Sequence, residues 1–418
     1  MKPPITNIVL VFVAVLIIGG VIFFIVQAKD NNTYDIPVYD ATGLVGGSLS
    51  GISTSTVEVK EKVKHLPTPI PTKVVYMTSC VAATPSLRER LVKMVDETEV
   101  NAIIVDLKDY TGAISFDPET ESLKPYAISH CPIADLKGMV KEWHDKDIYV
   151  IGRITVFQDA LFTKNNPDTA VRSLSNPESL WRDKKGITYI DPASKKAHDH
   201  IIAIAKDAYN LGVDELNFDY IRFPSDGNMK DISLPLTGGS KSQPLVLEKF
   251  FAYLHQELKP TGAILSADVF GVTTNNFTDV GIGQIWENFL PYFDYISPMI
   301  YPSHYYAGFG PYANANLYPY EVVKGSLDVA IQRTVATSTV VKTLQGKPIA
   351  STSPQMYTKK AFSESKIRPW LQDFDYPVPY TPEMVKAQIR ATYDAGLDSW
   401  MMWDPSNHYT RSVYGPAL

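Results

Sequence analysis

One feature constrains this chain more than any other: a two-part grammar that repeats from Lys73 to the C-terminus. Short apolar runs at residues 74–78, 102–107, 148–155, 215–221, 263–269, 295–300, 348–351 and 399–403 alternate with longer amphipathic stretches. Such runs suit strands buried on both faces of a parallel sheet, and the stretches between them have helical period. Two helix starts pair a capping hydroxyl with proline at the first helical position, Thr84-Pro85 and Thr381-Pro382. Two helices end at a glycine stop, Gly212 and Gly396, just ahead of a strand. Eight β-then-α units predict an α/β fold, a (β/α)8 TIM barrel with long loops over residues 73–418. A doubly wound open sheet could be assembled from the same units. No solenoid-type repeat is present.

The N-terminal part is of another kind. Residues 8–26 carry no charge and are almost wholly apolar. A helix of that length, at about 1.5 Å per residue, matches a hydrocarbon core of about 30 Å. The expectation is a single transmembrane anchor over residues 8–27, with the lipid bilayer as its partner. A cleaved signal peptide is the rival, but its apolar region would be shorter, about 7–15 residues. The tail 1–7 carries Lys2 and no acid, so the positive-inside rule leaves it in the cytoplasm. The rest is then extracytoplasmic, placing the protein in the cell membrane as a single-pass chain. Residues 28–72, rich in Gly, Ser, Thr and Pro, read as a flexible linker. Within it, Gly47-Ser-Leu-Ser-Gly51 matches a hydrolase nucleophile-elbow pattern but lacks the flanking strand and helix that motif needs.

Composition removes several classes. The formal net charge is −6, and no cluster of Lys and Arg advertises a nucleic-acid partner. Two cysteines exclude a disulfide-stapled miniature and a four-cysteine zinc site. Cys80 follows the first run and Cys131 the second. Adjacent barrel strands bring those loops together, and an oxidising compartment permits a disulfide, with two buried free thiols as the alternative. The 8 histidines show no ligand spacing, and nucleotide-binding glycine patterns are absent, so neither a metal nor a cofactor is expected. Nothing in the sequence marks an oligomeric state.

In a TIM barrel the reacting groups sit at the C-terminal ends of the strands. The fourth run places Glu215, Asn217 and Asp219 on one face, because side chains alternate along a strand. Polar groups inside a barrel are expensive to bury unless paired, which singles out this strand as functional. Glycoside hydrolysis needs two carboxyl groups, one protonated and one ionised. Asp219 and Asp268, ending neighbouring runs, are the candidate pair, with Asp219 ionised and Asp268 the proton donor. Arg222 could hold Asp219 ionised, or pair with it structurally at the rim. Asp106, Lys108 and Asp109 could bind sugar hydroxyls or pair among themselves, Asn217 is expected to touch substrate, and the deeper Glu215 suits a satisfied interior network. Tyr301, His304, Trp403 and Asp404, at the ends of the sixth and eighth runs, could line a sugar site.

Three segments carry a likeness. They are Val100-Asn-Ala-Ile-Ile-Val-Asp-Leu-Lys-Asp109, Gly212-Val-Asp-Glu-Leu-Asn-Phe-Asp-Tyr-Ile-Arg-Phe-Pro224 and Tyr295-Ile-Ser-Pro-Met-Ile-Tyr-Pro-Ser303. They resemble the glycoside hydrolase barrel family long catalogued as a domain of unknown function, a distant relative of the α-amylase-type barrels. The resemblance implies a barrel from Lys73 onward that hydrolyses a poly- or oligosaccharide. In α-amylase-type barrels an Asp nucleophile follows strand four, where Asp219 stands, and a Glu acid follows strand five, where this chain has Asp268. Asn217 stands where that pattern has Arg, and residues 351–355 offer no counterpart of its His-Asp pair. Two other functions fit a barrel of this kind: a non-catalytic carbohydrate-binding barrel at the cell surface, and a metal-dependent deacetylase.

Overall fold

The computed structural model describes residues 63–239 and 241–417. Eight parallel strands close into a barrel: β1 (Lys73–Met77), β2 (Ala102–Lys108), β3 (Tyr149–Thr155), β4 (Glu215–Asp219), β5 (Ile264–Phe270), β6 (Tyr295–Met299), β7 (Trp370–Gln372) and β8 (Trp400–Trp403). Each pairs with its neighbours in sequence, and β8 closes on β1 with Lys73 opposite Trp400. The crossovers carry α1 (Pro85–Asp96), α2 (Leu136–His144), α3 (Lys195–Asn210), α4 (Gln243–Leu258), α5 (Pro319–Val335) and α6 (Pro382–Asp394). Between β5 and β6 lie a short 3-10 turn, Gly271–Thr274, and a single α-helical turn, Trp286–Phe289. This is the (β/α)8 barrel, with an order that rules out the doubly wound sheet.

The helices begin where capping chemistry allows. Ser194 accepts from the Ala197 N–H ahead of α3, and Thr381 accepts from Met384 ahead of α6. Gly212 and Gly396 leave their helices at φ of 106° and 88°, a left-handed turn that a side chain would oppose. Outward-facing Val75, Ile103, Val105, Leu216 and Leu265 pack on the helices in one continuous core. That two-sided burial explains why the strands read as unbroken apolar runs.

The interior is divided. On the side of β1, β2 and β8 it is filled by Val74, Tyr76, Ala102, Ile104 and Met401. The inner positions of β4 and β5 are Glu215, Asn217, Asp219, Ser266 and Asp268, all buried. At the N-terminal end of the barrel, the last part of the stretch expected as linker packs on its base. The Leu66 N–H donates to Asp214, Thr68 bonds the Tyr149 hydroxyl, and the Thr72 N–H donates to Ser399.

Strand seven is displaced from its expected place. Residues 348–351 belong to a surface hairpin, where Pro348 bridges Tyr357 and Ser338–Thr339 pairs with Tyr357–Thr358. The barrel strand is instead Trp370–Gln372. It is short and bounded by Arg368-Pro369 and Asp373, so it offers no apolar run to read. Among the described residues no helix is long and apolar enough to cross a membrane. The expected tail 1–7 and anchor 8–27, with the linker as far as residue 62, lie outside them.

Candidate active site

At the C-terminal end of the barrel a pocket of about 450 Å³ is lined by Arg153, Asp219, Asp268, Tyr301, Trp370 and Trp403, among others. Its chemistry is built on adjacent strands. Asn217 of β4 lies level with Arg153 of β3 on one side and Ser266 of β5 on the other. Alternation along the strands then brings Asp219 and Asp268 to the rim above.

Arg153 is the hub. Its Nη1 donates to Asp106 Oδ1 at 2.6 Å, and its Nη2 donates to Asp219 Oδ2. The Tyr76 hydroxyl holds the other oxygen of Asp106. Trp403 stacks on Tyr76 with ring centres 4.0 Å apart, and the Arg153 guanidinium lies 5.2 Å from the Trp403 ring centre. One cation is therefore fixed by two carboxylates and two aromatic rings, with little freedom to move.

The two candidate acids are held differently. Asp219 Oδ2 accepts from Arg153 and Oδ1 from the Tyr220 N–H at 2.6 Å, so both oxygens receive hydrogens. Tyr220 adopts a φ of 49°, rare for an aromatic residue, and turns the chain sharply just past the carboxylate. Asp268 accepts from Asn217 Nδ2 at 3.0 Å and Trp370 Nε1 at 2.8 Å, both at Oδ1. Its Oδ2 receives no hydrogen bond among the described residues. Burial, and then the nearby charge of Asp219, push Asp268 up to about 8. Burial also raises Asp106, against the pull of Arg153.

The other expected site residues divide. Tyr301, His304 and Trp403 line the pocket. Asn217 lies beneath it and reaches it through Asp268; Asp106 reaches it through Arg153. Arg222 lines the pocket but makes no ion pair with Asp219: it donates to the Phe223 carbonyl and lies against Tyr220 and Phe270. The guanidinium on Asp219 belongs to Arg153. Lys108 is fully buried away from the pocket, bonded to Asp159 at 2.8 Å and to the Thr155 carbonyl. A register shift between Asp106 and Lys108 breaks the alternation that would have put both on one face. Asp404 lines a neighbouring cleft of about 950 Å³ that shares His304 and Trp403 with the pocket. Glu215 is fully buried and paired with Arg368, in an interior network. Cys80 and Cys131 form a disulfide, their Cα atoms 4.7 Å apart.

Sequence reading missed Arg153, although a signal exists. In Tyr149-Val-Ile-Gly-Arg-Ile-Thr155 a lone charge falls two residues after Ile151, on the inward face of a barrel strand. An unpaired cation there is too costly to be incidental. Trp370 was hidden because its strand was.

A family model described as "Putative glycosyl hydrolase domain" matches residues 74–409. No curated protein matches. Among solved structures, a hypothetical protein from Ruminiclostridium thermocellum ATCC 27405 is 32% identical over 47% of this chain and 97% of that one, at a TM-score of 0.42. The glycoside hydrolase domain of PgaB (BpsB) from Bordetella bronchiseptica is 14% identical over 82% of this chain and 99% of that one, at a TM-score of 0.55. The second likeness is one of fold.

Proposed function

From the premise that the chain belongs to this glycosyl hydrolase family, we propose that Asp268 and Asp219 cut the glycosidic bond of a poly- or oligosaccharide as a pair. Asp268 is the proton donor. Its Oδ1 is occupied by Asn217 and Trp370, which leaves Oδ2 to carry the proton toward the leaving oxygen. Asp219 receives hydrogens at both oxygens and supplies negative charge to the oxocarbenium-like transition state. Arg153 fixes that carboxylate and is itself fixed by Asp106, so Arg153 and Asp106 are positioning residues. Trp403 and Tyr301 offer ring faces to the sugar. The observation that carries the reading is the contrast within one pocket: an acid pushed up to about 8 by burial beside an acid held by a guanidinium.

The domain acts outside the membrane, held there by residues 8–27. The uncharged stretch supports the anchor, and the Cys80–Cys131 disulfide suits an oxidising compartment. The test is reducing-end release by the full-length protein from a panel of cell-wall, capsular and storage glycans, with Asp219→Asn beside it. Release that disappears in the variant supports the assignment; release at the wild-type rate refutes it.

A further inference from the structure

Four arginines are buried among the described residues, and three of them share one pattern. Arg153 pairs with Asp106 and Asp219, Arg333 with Glu287, and Arg368 with Glu215. Arg222 is only 6% exposed, yet it pairs with no carboxylate among the described residues. Its closest acids in sequence do not reach it: Asp219 is held by Arg153, and Asp226 makes no ion pair among the described residues. A guanidinium carries five N–H donors in a planar fork. Two groups accept from Arg222, the Phe223 carbonyl at 2.9 Å and the Tyr189 hydroxyl at 3.5 Å. Its other N–H groups donate to nothing among the described residues. The ring centres of Phe270, Tyr220 and Tyr189 lie 4.8, 5.0 and 5.9 Å from the guanidinium carbon. Such rings attract a cation but bring it no countercharge.

This unpaired arginine lines the catalytic pocket. Lys185, an exposed residue, lines it too, and its ammonium group makes no ion pair among the described residues. With Asp268 holding its proton, Arg153, Arg222 and Lys185 face a single ionised acid in the lining, Asp219. A buried charge is costly unless it is paired, and the hydroxyl groups of a neutral sugar bring no countercharge. A carboxylate does, and its two oxygens match the planar fork of a guanidinium. We propose that Arg222 receives the carboxylate of an acidic sugar, assisted by Lys185, so that the glycan cut here contains uronic acid residues. The inference rests on the hydrolase reading. Arg222 follows β4 and lies against Phe270 at the end of β5, the strands that carry Asp219 and Asp268. The carboxylate therefore belongs to the sugar whose bond is cut or to its immediate neighbour.

The test sets pectate, alginate and glucuronan beside the same polymers after carboxyl reduction, which keeps each linkage but exchanges the carboxylate for a hydroxymethyl group. A sulfated galactan and neutral glycans complete the panel. Reducing-end release is measured with the full-length protein, and calorimetric binding with its Asp219→Asn variant. The expected result is release from at least one acidic glycan, with kcat/KM at least roughly tenfold above its reduced form, the scale of one charge-assisted hydrogen bond. That preference should shrink to within about twofold in Arg222→Gln. Lys185→Gln, at an exposed position that leaves the packing alone, should lower it by about twofold to threefold even where Arg222→Gln fails to fold. Equal rates on acidic and reduced forms, release from neutral glycans alone, or neither release nor binding of any acidic glycan at about 10 mM overturns the subsite. Preference for the sulfated galactan over every uronic-acid glycan overturns the carboxylate. The two readings fail separately. Asp219-dependent release without acid preference removes the subsite and keeps the hydrolase; acid preference in binding without Asp219-dependent release does the reverse.

Discussion

Strand β4 carries two buried acids on its inner face, Glu215 and Asp219, and each is held by an arginine from another strand or its approach. The lower pair, Glu215 with Arg368, is shut off completely, with both side chains at 0% exposure. Among the described residues Arg368 has no other carboxylate, and its Nε and Nη1 lack hydrogen-bond partners. The upper pair, Asp219 with Arg153, opens to the pocket, and its arginine holds a second acid, Asp106. The same chemistry therefore serves two ends. Below, a closed pair locks β4 to the approach to β7. Above, the pair faces a cavity and a third carboxyl group, Asp268, the arrangement proposed here to react.

Mutations should separate the two regions. The largest effect belongs to Asp219→Asn, expected to lower turnover by roughly 10⁴-fold or more, the scale of losing a principal reacting group. Its melting temperature should stay within a few degrees of wild type, because Arg153 keeps Asp106. A comparable loss of stability would place Asp219 with the structural pair. Asp268→Asn should lower turnover by roughly 10²–10⁴-fold, the range of general-acid catalysis.

The same variant has a stability signature. Asp268 is pushed up to about 8 when folded, against 3.8 for an ordinary aspartate, so between those limits the folded state holds the extra proton. Wild-type stability from this group therefore falls as pH rises through that window. Asn cannot ionise, so Asp268→Asn should match the wild type near pH 4 and exceed it by pH 8 in denaturant melts. A variant that is no more stable at pH 8 than at pH 4, relative to wild type, contradicts the assignment.

Below the pocket, Glu215→Gln should cost about 3–5 kcal/mol in urea unfolding, because it strands a buried guanidinium. Turnover per folded molecule should change by less than about twofold. Loss of turnover without loss of stability would erase the distinction between the two pairs. The smallest effect is on the wild type itself: kcat/KM should fall about tenfold per pH unit above about 8, as the donor loses its proton.

Much of this division was legible in the residues. Hydrophobic runs located seven barrel strands, and alternation put Glu215, Asn217 and Asp219 on one inner face, with Glu215 the structural member. What stayed hidden depended on contacts between distant segments. Arg222 is near Asp219 in sequence, but the guanidinium that reaches Asp219 comes from Arg153 on the adjacent strand. Lys108 left the site because of a register shift that no periodicity reveals. Strand β7 escaped because its burial comes from its neighbours: Trp370 faces Asp268, and Arg368 finds its charge partner on β4.

The central claim is that two carboxyl groups in one pocket are divided into a proton donor and an ion-paired partner. Its most direct test is a carbon-13 NMR titration of the Asp268 carboxyl in aspartate-labelled protein, assigned with Asp268→Asn. The account predicts a carboxyl still protonated at pH 7, titrating near 8 and moving to lower pH in Asp219→Asn, where the repelling charge is gone. A carboxyl already ionised at pH 5, or one indifferent to Asp219, would contradict it.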